Sequence, residues 1–127
     1  MRIALDTDRY VDLCRGVPEI VQCAAEAERI FMPFVVLAEL RAGFLVGTRA
    51  KQNERTLGRF LNSPRVRLLL PDAQTTHHYA ALFAQLRKQT TPIPTKDIWI
   101  AAVVLQHNLL LLTRDLHFDH LPQLSPI

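Results

Sequence analysis

Cysteine is scarce in this 127-residue chain, and the two present, Cys14 and Cys23, lack CxxC spacing. No disulfide framework is expected. Both fall in helical patterns, where a cysteine serves as a small buried hydrophobe in a reducing compartment. No apolar run approaches the ~18 residues of a membrane span, and the N-terminal segment MRIALDTD has too short an apolar stretch for a signal peptide. The expectation is a cytoplasmic protein with no membrane partner. His77, His78, His107, His117 and His120 form neither HxH nor HExxH spacing, so zinc is not expected. Repeats, linkers and low-complexity stretches are also missing. The whole of 1–127 therefore reads as one domain, long enough to bury about two thirds of its unfolded surface in a single core.

What is present is an alternation of short apolar strands with helical patterns. Strand candidates bounded by breakers are Arg2 to Leu5, Arg29 to Met32, Val66 to Leu70 and Leu109 to Leu112. Pro18 opens a helix to about Glu28, Pro33 precedes one through Leu45, and Arg49 to Leu61 is polar and amphipathic. Asp72 caps a long helix through about Lys88, and Thr95 reads as the N-cap of an apolar helix to His107, with Asn108 as a left-handed stop. This order predicts an α/β fold, with a mainly parallel sheet covered on both faces, whose working site lies beyond the carboxyl ends of the strands.

Four acids stand where folding alone explains them poorly. Asp6 closes Ile3-Ala4-Leu5, and Asp115 follows Leu109 to Leu112 after only Thr113 and Arg114. Glu39 lies inside an apolar helical run, and Asp97 opens another. On a helix the neighbours of residue i are i±3 and i±4. For Glu39 these are Val35, Val36, Ala42 and Gly43, and for Asp97 they are Ile93, Pro94, Ile100 and Ala101, none of them basic or polar. Asp12 beside Arg9 and Arg15, Glu54 beside Lys51, and Glu26 beside Arg29 instead read as solvated faces. If the four isolated acids converge, they form a hard-oxygen cage suited to Mg²⁺ or Mn²⁺ and to chemistry on phosphates. Singly, each has a plainer role as a helix cap, a dipole partner or half of a distant ion pair.

Fifteen Lys and Arg against twelve Asp and Glu give +3; setting the four acids aside leaves eight acids and a surface charge of +7. That balance favours a polyanionic partner.

The segments Leu5-Asp6-Thr7, Pro33 through Phe44 around Glu39, Pro92 through Ala102 around Asp97, and Leu112 through Phe118 around Asp115 resemble, in order and spacing, the successive motifs of PIN domains, most closely VapC-like toxins of toxin–antitoxin modules. The resemblance covers nearly the whole chain. It implies a three-layer α/β/α sandwich and a metal-dependent endoribonuclease acting on structured RNA such as tRNA. Asp6, Glu39, Asp97 and Asp115 would be its catalytic and metal-holding acids, Mg²⁺ or Mn²⁺ its cofactor, and Thr113 a polar neighbour of the cage. It also implies a homodimer and an inhibitory antitoxin, a small DNA-binding protein. Phe44, Leu45 and Val46 near a helix end are consistent with self-association.

Two positions depart from the pattern: Lys96 stands where Asn is frequent, and Asp8 where Ser or Asn is frequent. Lys96 reads either as a phosphate contact or as an exposed helix-start lysine, and Asp8 either as an outer carboxylate or as an N-cap. Arg114, Lys96, Arg41 and Arg9 are the leading candidates for RNA contact, with Arg49, Lys51, Arg55 and Arg59 behind them. Trp99 and Phe118 read as core. Asp6-Thr7-Asp8 also resembles the DxD of haloacid-dehalogenase-like phosphatases, but that motif wants Thr or Val where Tyr10 stands. The alternative of a different class is a silent PIN-like module that docks an antitoxin or RNA through its acidic pocket.

Overall fold

The computed structural model describes residues 1–124, so the last three residues of the predicted domain 1–127 lie outside the described residues. Four strands, β1 (Arg2–Leu5), β2 (Arg29–Pro33), β3 (Val66–Leu69) and β4 (Leu110–Leu112), alternate with six helices: α1 (Thr7–Cys14), α2 (Pro18–Glu26), α3 (Phe34–Val46), α4 (Ala50–Leu61), α5 (Ala73–Gln89) and α6 (Thr95–Gln106). A 3₁₀ turn, Leu116–His120, follows β4.

The sheet is wholly parallel, in the order β3-β2-β1-β4. Ile3, Ala4 and Leu5 of β1 are fully buried, as a central strand covered on both faces requires. From β1 to β2 to β3 the chain moves one way across the sheet through α1 to α4, and from β3 to β4 it returns to the far edge through α5 and α6. Right-handed crossovers in opposite directions place their helices on opposite faces, which gives the three-layer sandwich. The reversal lies at β1 and β4, and open parallel sheets bind ligands outside the carboxyl ends of the strands at such a point.

Helix α6 is apolar nearly all round because it is enclosed nearly all round. Burial of each of Ile98, Ile100, Val103 and Val104 stabilises by about 1.5–3 kcal/mol, which offsets the several kcal/mol that removing the Asp97 carboxylate from water costs. Trp99 stacks on Tyr79 of α5 with ring centroids 4.1 Å apart, and Phe118 is fully buried. Asp72 caps α5 in a capping box with Thr75, and Asn108 takes the expected left-handed conformation at φ 54.

Three local expectations are corrected. Pro94, not Thr95, is the N-cap of α6, because the extended Pro94 backbone already sets the entry and Thr95 begins the helix. Leu109 precedes β4, its amide bonded back to Val104 in closing α6. Cys14 is exposed at the end of α1 rather than buried, and Cys23 is half-buried.

Candidate active site

Strand register carries the first pair of site residues together. Leu5 pairs with Leu112, and one step further the Asp6 amide donates to the Leu112 carbonyl at 2.9 Å. Asp6 is therefore level with Thr113, whose hydroxyl donates to Asp6 Oδ2 at 2.7 Å. The same hydroxyl accepts the Asp115 amide at 2.9 Å, so one threonine fixes the turns after both strands. Asp6 is also the N-cap of α1, its Oδ1 accepting from the Thr7 amide at 2.8 Å.

The remaining acids close a ring with these. Asp97, in the first turn of α6, is completely buried. Its Oδ2 meets His117 Nδ1 at 2.9 Å, and the same nitrogen lies 3.0 Å from Asp115 Oδ1. Its Oδ1 accepts from Lys96 Nζ at 3.0 Å, and that ammonium reaches Glu39 Oε2 at 3.4 Å. Glu39 Oε1 in turn accepts from the Thr7 hydroxyl at 3.2 Å. Asp6, Asp115, Asp97 and Glu39 are thus joined in sequence through Thr113, His117, Lys96 and Thr7.

Electrostatics make the ring a place that favours positive charge. Burial pushes the Asp6 carboxyl above its usual pKa, with the negative charges of Asp8 and Asp97 adding to the rise while the Thr113 and Thr7 hydrogen bonds oppose it. Burial pulls the Lys96 ammonium down, but its hydrogen bond to Asp97 and the charges of Asp97 and Glu39 prevail and hold it above its ordinary value. Four carboxylates face one ammonium and one imidazole, an excess of negative charge in a largely covered place. Asp97, Asp115 and His117 each offer a ligand atom, all within 4.8 Å of one another. Oxygen-rich donors with one imidazole fit a hard or borderline divalent cation.

The PIN domain family model matches residues 3–124 of this chain. The chain belongs to the PIN-domain family. It is 31% identical over 115 residues to Ribonuclease VapC1 of Haemophilus influenzae strain R2866, covering 87% of this chain and 84% of that protein. VapBC-1 from nontypeable Haemophilus influenzae superposes with a TM-score of 0.87 at 29% identity, over 100% of this chain and 97% of that one. VapBC-5 from Mycobacterium tuberculosis, a member of the VapBC family of toxin-antitoxin systems, gives 0.75 at 26% identity over 98% and 93%.

In this PIN domain His117 and Thr7 complete the ring, and neither stands out when histidines are screened for paired spacing. The available signal was position: His117 lies two residues after Asp115, and Thr7 directly follows Asp6. Asp97 does have a nearby cation in Lys96, the preceding residue, because the lysine folds back over the helix start where i±3 and i±4 do not look. Asp8 is not the cap of α1; it lies in the first turn and accepts the Arg114 amide at 3.2 Å. Asp12 is not a solvated acid either. It is buried and held by Arg9 at 3.0 Å and by Arg114 through two bonds of 3.0 and 3.2 Å, which tie the turn after β4 to α1. Glu54 pairs with Arg41 at 2.8 Å rather than with Lys51, and Glu26 accepts from Gln22 rather than from Arg29. All four cations expected at RNA are therefore engaged by carboxylates of the chain itself. A separate apolar pocket of about 430 Å³ between Phe34, Pro71 and Trp99 contains none of the ring residues.

Proposed function

We propose that this PIN domain is a divalent-cation-dependent endoribonuclease, the toxin of a toxin–antitoxin pair, that hydrolyses phosphodiester bonds of structured RNA such as tRNA. The observation that carries the reading is the closed ring of Asp6, Glu39, Asp97 and Asp115 at the β1–β4 reversal, with Asp97 fully buried. The family supports the class of reaction, since the relatives it resembles are VapC ribonucleases. The four acids serve as catalytic and metal-holding groups, with Mg²⁺ or Mn²⁺ as the cation. When bound, such a cation neutralises charge on the scissile phosphate and activates water, so that no covalent nucleophile is needed.

The chain's own residues set the stage for that chemistry. Thr113 and the Thr7 amide orient the two oxygens of Asp6, fixing it before substrate arrives. Lys96 balances Asp97 and Glu39 and, 45% exposed, also presents positive charge where a phosphate would approach. Arg114, clamped on Asp12 yet half exposed, directly precedes Asp115 in the chain and, with Arg9, gives the RNA backbone a positive approach. Arg41 remains a contact candidate from its pair with Glu54.

The partner in this reading is an antitoxin, as the VapBC likeness suggests. Leu45 and Val46, 81% and 90% exposed at the end of α3, support self-association in this reading, as apolar surface better covered by a second copy than left in water. The direct test incubates purified chain with tRNA in Mg²⁺, in Mn²⁺ and in EDTA. Cleavage is expected with either metal and not with chelator; undiminished cleavage in EDTA would overturn the reading.

A further inference from the structure

We propose that His117 is a ligand of the catalytic cation and makes the site prefer Mn²⁺ to Mg²⁺. The inference rests on the reading of the ring as a metal site and specifies which part of the ring takes the ion. The two oxygens of Asp97 are not equivalent. Oδ1 and Glu39 Oε2 meet the Lys96 ammonium, at 3.0 and 3.4 Å, so on that side the nitrogen beside the carboxylates is a charged donor that cannot ligate a metal. Oδ2 faces Asp115 Oδ1 and His117 Nδ1 instead.

The spacing on that second side suits a coordination shell. In octahedral coordination with bonds of about 2.1 Å, adjacent ligand atoms lie about 3.0 Å apart. His117 Nδ1 lies 2.9 Å from Asp97 Oδ2 and 3.0 Å from Asp115 Oδ1, and the three residues' donor atoms fall within 4.8 Å of one another. As the geometry stands Nδ1 carries the proton that the two carboxylates accept; an ion that takes the place of that proton, which leaves to solvent, would touch all three donors with little movement of heavy atoms.

The imidazole is also fixed from below. Asp115 Oδ1 accepts the His117 amide at 2.9 Å at the start of the 3₁₀ turn. Phe118 and Leu121, both 1% exposed, anchor that turn in the core. A nitrogen placed among hard oxygens changes selectivity, because Mg²⁺ takes oxygen donors and gives up water reluctantly, whereas Mn²⁺ is a first-row transition ion that binds mixed nitrogen and oxygen sites, though it is the weakest of that series. The conventional four-acid set would leave the two ions closer in affinity.

The test is pulsed electron paramagnetic resonance on the full-length chain loaded with MnCl₂, in wild type with and without histidine carrying the heavy nitrogen isotope, and in His117→Gln. Wild type is expected to show nitrogen modulation that changes with the label, and the variant to lose it. In parallel, the Mg²⁺ concentration that displaces half the bound Mn²⁺ should fall about 10-fold in the variant. Mn²⁺ bound in wild type without histidine nitrogen modulation would overturn the inference while leaving the carboxylate site standing. Failure to bind Mn²⁺ at all would overturn both. The deciding spectrum is that of the wild type, so a poorly folding variant does not remove the test.

Discussion

Replacing Thr113 by Val removes one hydroxyl and almost no volume, yet that hydroxyl makes two of the bonds that define the site. It donates to Asp6 Oδ2 at 2.7 Å and accepts the Asp115 amide at 2.9 Å. A hydrogen bond to a charged group contributes about 1.5–3 kcal/mol and a neutral one about 0.5–1.5 kcal/mol, so the loss should total about 2–4.5 kcal/mol. At about 4 °C per kcal/mol for a chain of this length, the melting temperature should fall by about 8–18 °C. The effect should depend on pH. Burial already raises the folded-state pKa of Asp6, and Thr113 opposes the rise. Without Thr113 the folded pKa climbs further, so the variant loses additional stability as pH rises through it. At about pH 3, below the unfolded value, Asp6 is protonated in both states and this part of the difference vanishes. Urea unfolding in EDTA at pH 7 and at pH 3 measures both quantities. A loss below about 0.5 kcal/mol at pH 7, or equal losses at the two pH values, would mean that Thr113 does not hold the ionised Asp6 carboxylate.

Other outcomes follow from neighbouring groups. Asp6→Asn should raise the urea midpoint at pH 7 in chelator and give no gain in strong acid, because a raised folded pKa means that stability present at low pH is lost as the carboxyl ionises. Asp12→Asn should do the opposite: burial would raise its pKa, but the bonds and charges of Arg9 and Arg114 prevail and lower it. The variant should therefore be less stable at neutral pH and converge on wild type as pH falls through the folded pKa of Asp12, followed by the same unfolding series. Leu45→Glu with Val46→Glu should convert a micromolar dimer into monomer by light scattering; a wild type that is already monomeric would contradict the proposed self-association.

Much of this was legible in the residues. Strands and helices fell within a few positions of their expected places because β1 and α6 are apolar on every side and bounded by Asp6, Pro94 and Asn108. The four acids were visible for the same reason, as charges interrupting segments that fold toward the core. What escaped was the pairing of charges across elements. Asp12 looked solvated because Arg9 and Arg15 flank it, but its second partner is Arg114, 102 residues away and delivered by β4 lying beside β1. His117 escaped because its partners, Asp97 and Asp115, come from a helix start and a turn. Local periodicity carries no information about which loops the sheet order brings together.

Single-turnover cleavage of tRNA in Mn²⁺ by Asp97→Asn and by Asp72→Asn asks whether the acidic ring cuts RNA. Both aspartates are engaged near helix starts, but only Asp97 belongs to the ring, and Asn still caps a helix well in place of Asp72. Asp97→Asn should remain folded and lose at least ~100-fold in rate, while Asp72→Asn stays within ~2-fold of wild type. Cleavage by folded Asp97→Asn at the wild-type rate would mean that the ring is not where RNA is cut.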